Sequence, residues 1–252
     1  MRVELQTVKQ YLNGCEEQYT IIGGTACELL LQSHDFGFRV TKDLDMVLLI
    51  EYLSPDFGHK FWKLIRDGGY SHKSKSTGKN TFYRFTNPAS PEFPQMIELF
   101  SRQQDEIILP EEAVITPVRQ EEAIYSLSAI LLDNEYYNLL LSADTIIEGI
   151  PILSERELIP FKAKAWLDLT HQKENGEKID SRNINKHKND VFRLLSIVNP
   201  SHPFPLPEPI QHDMKQFLLC MEKEQIDMKA LGLPLKANEA IEILKNLYLI
   251  DQ

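Results

Sequence analysis

The feature that most constrains this chain is a strand, a double-glycine turn and a helix, followed by a second strand with two acids at its head. Tyr19-Thr20-Ile21-Ile22 is a short β-rich run stopped by Gly23-Gly24, and Thr25–Ser33 then carries Ala26, Leu29 and Leu30 at helical spacing. Nineteen positions after Gly24, Asp43-Leu44-Asp45 opens an apolar run that ends at Ile50. Side chains at i and i+2 of a strand share a face, so Asp43 and Asp45 point the same way, with Cα atoms about twice 3.4 Å apart. Two carboxylates so placed can converge on a hard cation such as Mg²⁺, which takes oxygen ligands and usually binds substrate phosphates as well. The glycines let the backbone approach closely, and unpaired N–H groups at the following helix N-terminus attract phosphate. Together the two halves describe a cradle for a nucleoside triphosphate. Each half alone says less: Asp43-Leu44-Asp45 is as readily a solvated strand end, and a lone Gly-Gly-Thr is more often a tight turn.

The rest of the chain supplies a setting for this start. Leu5, Val8, Leu12 and Cys15 lie on one face of an opening helix, and Phe57, Phe61, Leu64 and Ile65 on one face of another that Gly68-Gly69 ends. Thr81–Thr86, Gln95–Ser101, Leu127–Leu132, Tyr136–Ser142 and Thr145–Ile152 read as strands. Residues 1–153 are therefore expected to form an α/β core, a mixed sheet flanked by helices. Beyond it, Leu158, Phe161, Ala165 and Leu169 mark a helix behind Ser154-Glu155-Arg156-Glu157, which has the capping-box form, and Pro160 is expected to kink that helix or postpone its start. Residues 199–209 hold five of the 14 prolines, an extended connector. Ile210, Met214, Phe217, Leu218 and Met221 are helically spaced, as are Ile241, Leu244, Leu247 and Tyr248 behind an Asn238 cap. Residues 154–252 thus read as a mainly helical second domain, and a 252-residue chain is long enough for a core plus such an appendage.

Composition excludes several classes. The apolar runs, such as Met46–Ile50 and Leu139–Leu141, are far short of the roughly 18 residues of a membrane-spanning helix. The polar Met1–Thr7 stretch is unlike a secretory leader, so the expected compartment is the cytoplasm. Cys15, Cys27 and Cys220 form no Cys-x-x-Cys pair and suit neither a disulfide framework nor a zinc site. A net charge of −10 repels polyanions, which argues against sequence-independent binding of duplex DNA. Contact with RNA would need a local basic patch. His72, Lys73, Lys75, Lys79 and Arg84, interleaved with Phe82 and Tyr83, are the candidate, although such a charge run more commonly solvates a hairpin. Ser76-Thr77-Gly78-Lys79-Asn80 lacks the first glycine and the final Ser/Thr of a P-loop, and His34-Asp35 and His212-Asp213 lack further ligands or triad partners.

Ile22-Gly23-Gly24-Thr25-Ala26 and Arg39-Val40-Thr41-Lys42-Asp43-Leu44-Asp45 resemble the Gly-Gly-Thr and Arg-x-Thr-x-Asp-Leu-Asp signatures of the nucleotidyltransferase superfamily, most closely its AbiEii/AbiGii toxin-like branch. The resemblance covers the first 50 residues well and the rest loosely, and the long spacing from glycines to acids suits that branch. It implies a nucleotidyltransferase-type core with a helical C-terminal domain, and two divalent ions, Mg²⁺ or Mn²⁺, held by three carboxylates. It further implies transfer of a nucleotidyl group from a nucleoside triphosphate. The implied acceptor is an RNA 3′ end, tRNA included, or a protein hydroxyl, with toxicity controlled by a separate antitoxin protein.

Carried onto this chain, the resemblance makes Asp43 and Asp45 catalytic metal ligands and puts Gly23, Gly24 and Thr25 around the outer phosphates. Arg39 and Thr41 belong to the second signature without an assigned role. The third carboxylate belongs on a later strand. Glu98, the acid inside the apolar run Gln95–Phe100, is the candidate, ahead of Asp105 and Glu106, which follow the strand. Many relatives carry Asp there. Pro160–Ala165 resembles the motif whose helix lysine reaches the nucleotide phosphates, and Lys162 matches that lysine. Lys186–Arg193 resembles a later charged helix motif in which Asp190 matches the first acid, while Arg193 stands where a second acid is expected. Asp190 is otherwise a surface ion-pair partner of Lys186 or Arg193. These departures leave a second reading, a non-catalytic module that binds nucleotide or a partner protein on the same fold.

Overall fold

The computed structural model describes residues 2–71, 84–101, 107–109, 113–115 and 133–250. Among them the chain runs α1 (Val3–Tyr11), β1 (Tyr19–Ile22), α2 (Gly23–Gln32), β2 (Asp43–Leu48), α3 (Pro55–Asp67), β3 (Arg84–Thr86), β4 (Met96–Phe100), β5 (Ile107–Leu109) and β6 (Ala113–Ile115). It continues through α4 (Asn134–Leu141), β7 (Thr145–Ile147), β8 (Ile150–Ile152), α5 (Glu155–Glu174), α6 (Ser181–Leu195), α7 (Glu208–Met221) and α8 (Ala237–Leu247). The described residues gather into two compact units, Met1–Leu132 with Leu140–Leu153, and Asp133–Leu139 with Ser154–Gln252.

The first unit is built on a mixed sheet in the order β3-β4-β2-β1-β8-β7. Its central strand β2 runs antiparallel to β1 and parallel to β4. Leu44, Met46 and Leu48 alternate into the core on one face of β2, which leaves Asp43 exposed and Asp45 half-buried on the other. β1 is buried along its whole length, as its run of apolar and β-branched residues requires. An aromatic cluster of Phe57, Phe61, Trp62 and Phe85 fills the space under α3 and β3, with Phe61 and Phe85 edge to face at 5.5 Å. The expected mixed α/β architecture, followed by helices after β8, is the one the chain adopts.

Several local expectations differ from what forms. Tyr136–Ser142 is not a strand: Asp133 Oδ1 accepts from the N–H groups of Glu135 and Tyr136 at 2.8 and 3.3 Å, and this cap starts α4. Thr145–Ile152 is a hairpin rather than one strand, because Glu148 and Gly149 both take positive φ, 52° and 84°, and pair Ile147 with Ile150. The hairpin of β5 and β6 was not expected. Leu127–Leu132 and Thr81–Tyr83 lie outside the described residues, as do His72–Lys79 and Asp105-Glu106.

The second unit is a helical assembly in which α5 packs against α6 and α7, and α8 against both of those. The Glu157 carboxylate accepts from the Ser154 N–H at 2.8 Å, and the helix begins at Glu155 despite Pro160. Proline has no N–H to offer the Arg156 carbonyl four residues back; the Tyr248 hydroxyl donates to it instead, at 2.8 Å. The proline-rich stretch ends at Pro207, since α7 starts at Glu208 and holds Pro209 in its first turn, where a missing donor costs nothing. Asn238 is inside α8 rather than its cap; the N-cap is Lys236, whose N–H donates to Glu239. Among the described residues no helix is long and apolar enough to cross a membrane.

Candidate active site

The site is assembled where β1 turns into α2. Gly23 is the first residue of α2 and has φ +70°, a conformation that L side chains rarely adopt. The turn also has no room for a side chain: a Cβ on Gly23 would lie 1.9 Å from Asp45 Oδ2, and one on Gly24 would lie 2.7 Å from Thr41 Cγ2. Asp45 is therefore held against the helix N-terminus, where backbone N–H groups lack intrahelical partners. Arg39 reaches the same turn, its Nη1 lying 3.5 Å from the place a Gly24 Cβ would occupy, and its guanidinium rests over the Phe38 ring at 4.6 Å.

Thr25 and Thr41 form the floor beneath these groups. Thr25 is fully buried, and its hydroxyl donates to the Asp43 carbonyl at 2.8 Å and lies 3.0 Å from the Thr41 hydroxyl. Thr41 donates its own hydroxyl proton to Glu28 Oε2 at 2.8 Å, and its N–H points to the same oxygen at 3.3 Å. Glu28 is 1 % exposed and has Arg2 Nε 3.4 Å away, while an Arg2 guanidinium N–H donates to the Thr41 carbonyl. This chain of bonds ties the segment before β2 to α2 and so fixes where Asp43 begins. Glu28 and Arg2 were not singled out in the sequence. The signal was present, since Ala26-Cys27-Glu28-Leu29-Leu30-Leu31 is apolar apart from one acid, and an acid so placed is buried with partners.

Glu98 is the register partner of Asp45, as Met96 is of Asp43, so the candidate third carboxylate projects on the same face as the first two. Its own carboxylate is engaged by Arg84 Nε, which donates to Oε1 at 2.6 Å. Hard divalent cations take oxygen ligands, carboxylates among them, and Asp43 and Asp45 are two such donors on one face of β2. Among the described residues, though, no three His, Cys, Asp or Glu side chains are gathered closely enough to hold a metal ion. The two aspartates alone are a partial fit to such a cation, and the nearby Glu98 carboxylate is bonded to Arg84. A cavity of about 100 Å³ lies beside Asp43, lined among others by Arg2, Thr41, Lys42 and Gln95.

In the second unit, Lys162 and Asp190 face each other rather than solvent: Lys162 Nζ donates to Asp190 Oδ2 at 3.1 Å, with side chains 5 % and 0 % exposed. Arg193 Nη1 lies 3.9 Å from Asp190 Oδ1, so the residue standing at the expected second acid is a further cation for the first. Lys164 forms another cluster, 3.4 Å from Asp168 and 3.3 Å from Asp213, whose other oxygen accepts from the Tyr136 hydroxyl. Burial holds the Asp168 carboxyl above its usual range in spite of that lysine, and burial raises the Tyr136 hydroxyl further still.

No protein-family profile matches the chain, and no curated protein matches it. Among solved structures the chain is similar to the solution structure of the antibiotic-resistance factor ANT(2'')-Ia, at 12% sequence identity and a TM-score of 0.35, over 73% of this chain and 78% of that one.

Proposed function

We propose that the protein is a divalent-cation-dependent nucleotidyltransferase that uses a nucleoside triphosphate. The observation that carries this reading is the juxtaposition of Asp45 with Gly23 at the start of α2 and with Glu98 across the β2–β4 pair. A carboxylate pair beside a helix N-terminus supports binding of a cation together with phosphates. The Asp-Leu-Asp and Gly-Gly-Thr signatures and their spacing support the same reading, and they support the AbiEii/AbiGii toxin-like branch within it.

In the reaction, an acceptor hydroxyl oxygen attacks the α-phosphorus in line. A new P–O bond forms as the bond to the β-phosphate oxygen breaks, pyrophosphate leaves, and the hydroxyl proton passes to water. A divalent cation, when bound, would neutralise charge on the phosphates and favour loss of the acceptor hydroxyl's proton. Asp43 and Asp45 would hold that cation, with Glu98 as the third carboxylate. The N–H groups of Gly23 and Gly24 and the Arg39 guanidinium face the outer phosphates, and Thr25 acts from beneath by fixing the Asp43 backbone. The acceptor is an RNA 3′ end or a protein hydroxyl, and a separate antitoxin protein restrains the activity.

The test is incubation of purified protein with each α-labelled nucleoside triphosphate, Mg²⁺ or Mn²⁺, and total cellular RNA plus protein. Label transfer that disappears in Asp43→Ala/Asp45→Ala supports the reading and identifies the acceptor. A second reading, a nucleotide- or partner-binding module without turnover, is favoured by the engagement of Glu98 with Arg84; it predicts cation-dependent nucleotide binding and no transfer to any acceptor.

A further inference from the structure

Three charged side chains stand in a row across three neighbouring strands. Arg84 of β3 is the register partner of Glu98 of β4, and Glu98 that of Asp45 of β2. Register partners project to the same face, so the row reads cation, acid, acid. Arg84 Nε lies 2.6 Å from Glu98 Oε1, with the glutamate 12 % and the arginine 29 % exposed, which makes this a sheltered, charge-assisted bond rather than a surface pair. Glu98 therefore has a cation of its own on one flank while facing the aspartate pair on the other.

We propose that Arg84 and a divalent cation compete for Glu98. Arg84 holds this carboxylate in the ion-free protein and gives it up when an ion at Asp43 and Asp45 recruits it, so that Arg84 sets how tightly the site takes its ion. The inference rests on the cation site proposed above. A ligand can shift such an equilibrium only through its different affinity for the two states, so removing the competitor must appear as tighter ion binding.

The experiment is a Mn²⁺ titration of the full chain, with free ion followed by electron paramagnetic resonance and folding checked by circular dichroism. It is run on the unaltered protein, Arg84→Met, Glu98→Gln, the double variant and Asp45→Asn. Arg84→Met is expected to bind Mn²⁺ about tenfold tighter or more, the scale of a hydrogen bond to a charged group. In the Glu98→Gln background the same change is expected to leave affinity nearly unaltered. Equal tightening in both backgrounds would mean a general loss of positive charge and overturns the proposal. Should Arg84→Met not fold, Arg84→Gln, which keeps N–H donors without the charge, is read in the same cycle with the same expectation. Binding abolished by Asp45→Asn yet equal with and without Arg84 overturns this inference alone; no Mn²⁺ binding by any variant overturns it together with the cation site.

Discussion

Asp45 and Gly23 are in such close contact that a methyl group on the glycine would meet Asp45 Oδ2 at 1.9 Å and its Cγ at 2.8 Å. The same glycine has φ +70°, so a side chain there is opposed by the backbone as well as by the carboxylate. Gly23→Ala is expected to lose about 1–3 kcal/mol of stability from the left-handed strain alone. It should also weaken Mn²⁺ binding, because Asp45 must move aside. Urea denaturation and the ion titration check the two effects, and an alanine variant with unchanged stability and unchanged affinity contradicts the geometry.

Thr25 acts through its bond to the Asp43 carbonyl and its contact with Thr41 rather than as an exposed phosphate ligand. Thr25→Val removes the donor to a part-buried carbonyl and is expected to cost about 0.5–1.5 kcal/mol, whereas Thr25→Ser, which keeps the hydroxyl, should stay close to the unaltered protein. Denaturation midpoints decide between them. A valine variant of full stability that loses nucleotide affinity would restore Thr25 to a direct phosphate role.

Lys162 and Asp190 are buried together, so removing one takes away the other's buried counter-charge, with Arg193 remaining 3.9 Å from Asp190. Asp190→Asn or Lys162→Met is expected to cost about 3–5 kcal/mol, and the paired change Lys162→Met/Asp190→Leu to recover much of that loss. Chemical denaturation measures all three. If Lys162→Met were as stable as the unaltered protein and impaired only in nucleotide affinity, the lysine would belong to the phosphates as the sequence motif implies.

Asp168 supplies a pH-dependent check on the second unit. Burial raises its carboxyl, so the folded chain holds this proton more tightly than the unfolded chain does. Its contribution to stability is full below the unfolded pKa and is lost as pH rises through the folded value. Asp168→Asn cannot ionise, and its stability relative to the unaltered protein is expected to improve from about pH 3 to about pH 7. Thermal melts across that range test the sign; a constant difference contradicts it.

The glycine turn, the acidic head of β2 and the acid within β4 were legible because each is a local signal: a breaker at a strand end, a period-2 pattern, a charge in an apolar run. The register that sets Glu98 opposite Asp45, and Arg84 opposite Glu98, depends on pairing between distant segments and leaves no local trace. Tyr136–Ser142 misled because a short apolar run fits a strand or a helix equally, and the deciding residue, Asp133, stands outside it. Glu148-Gly149 carried a turn signal inside Thr145–Ile152 that the surrounding isoleucines masked. Lys162 in its motif looks the same whether its ammonium meets a phosphate or Asp190, since burial is decided by helices far apart in sequence.

The most direct measurement of the central claim is a crystal structure with Mn²⁺ and a non-hydrolysable nucleoside triphosphate analogue, with the ion placed by anomalous scattering. An anomalous peak bound by the carboxylates of Asp43 and Asp45 is expected, with the triphosphate running to the Gly23-Gly24 turn. A nucleotide bound without an ion at those two aspartates, or an ion and nucleotide bound elsewhere on the chain, would contradict that claim.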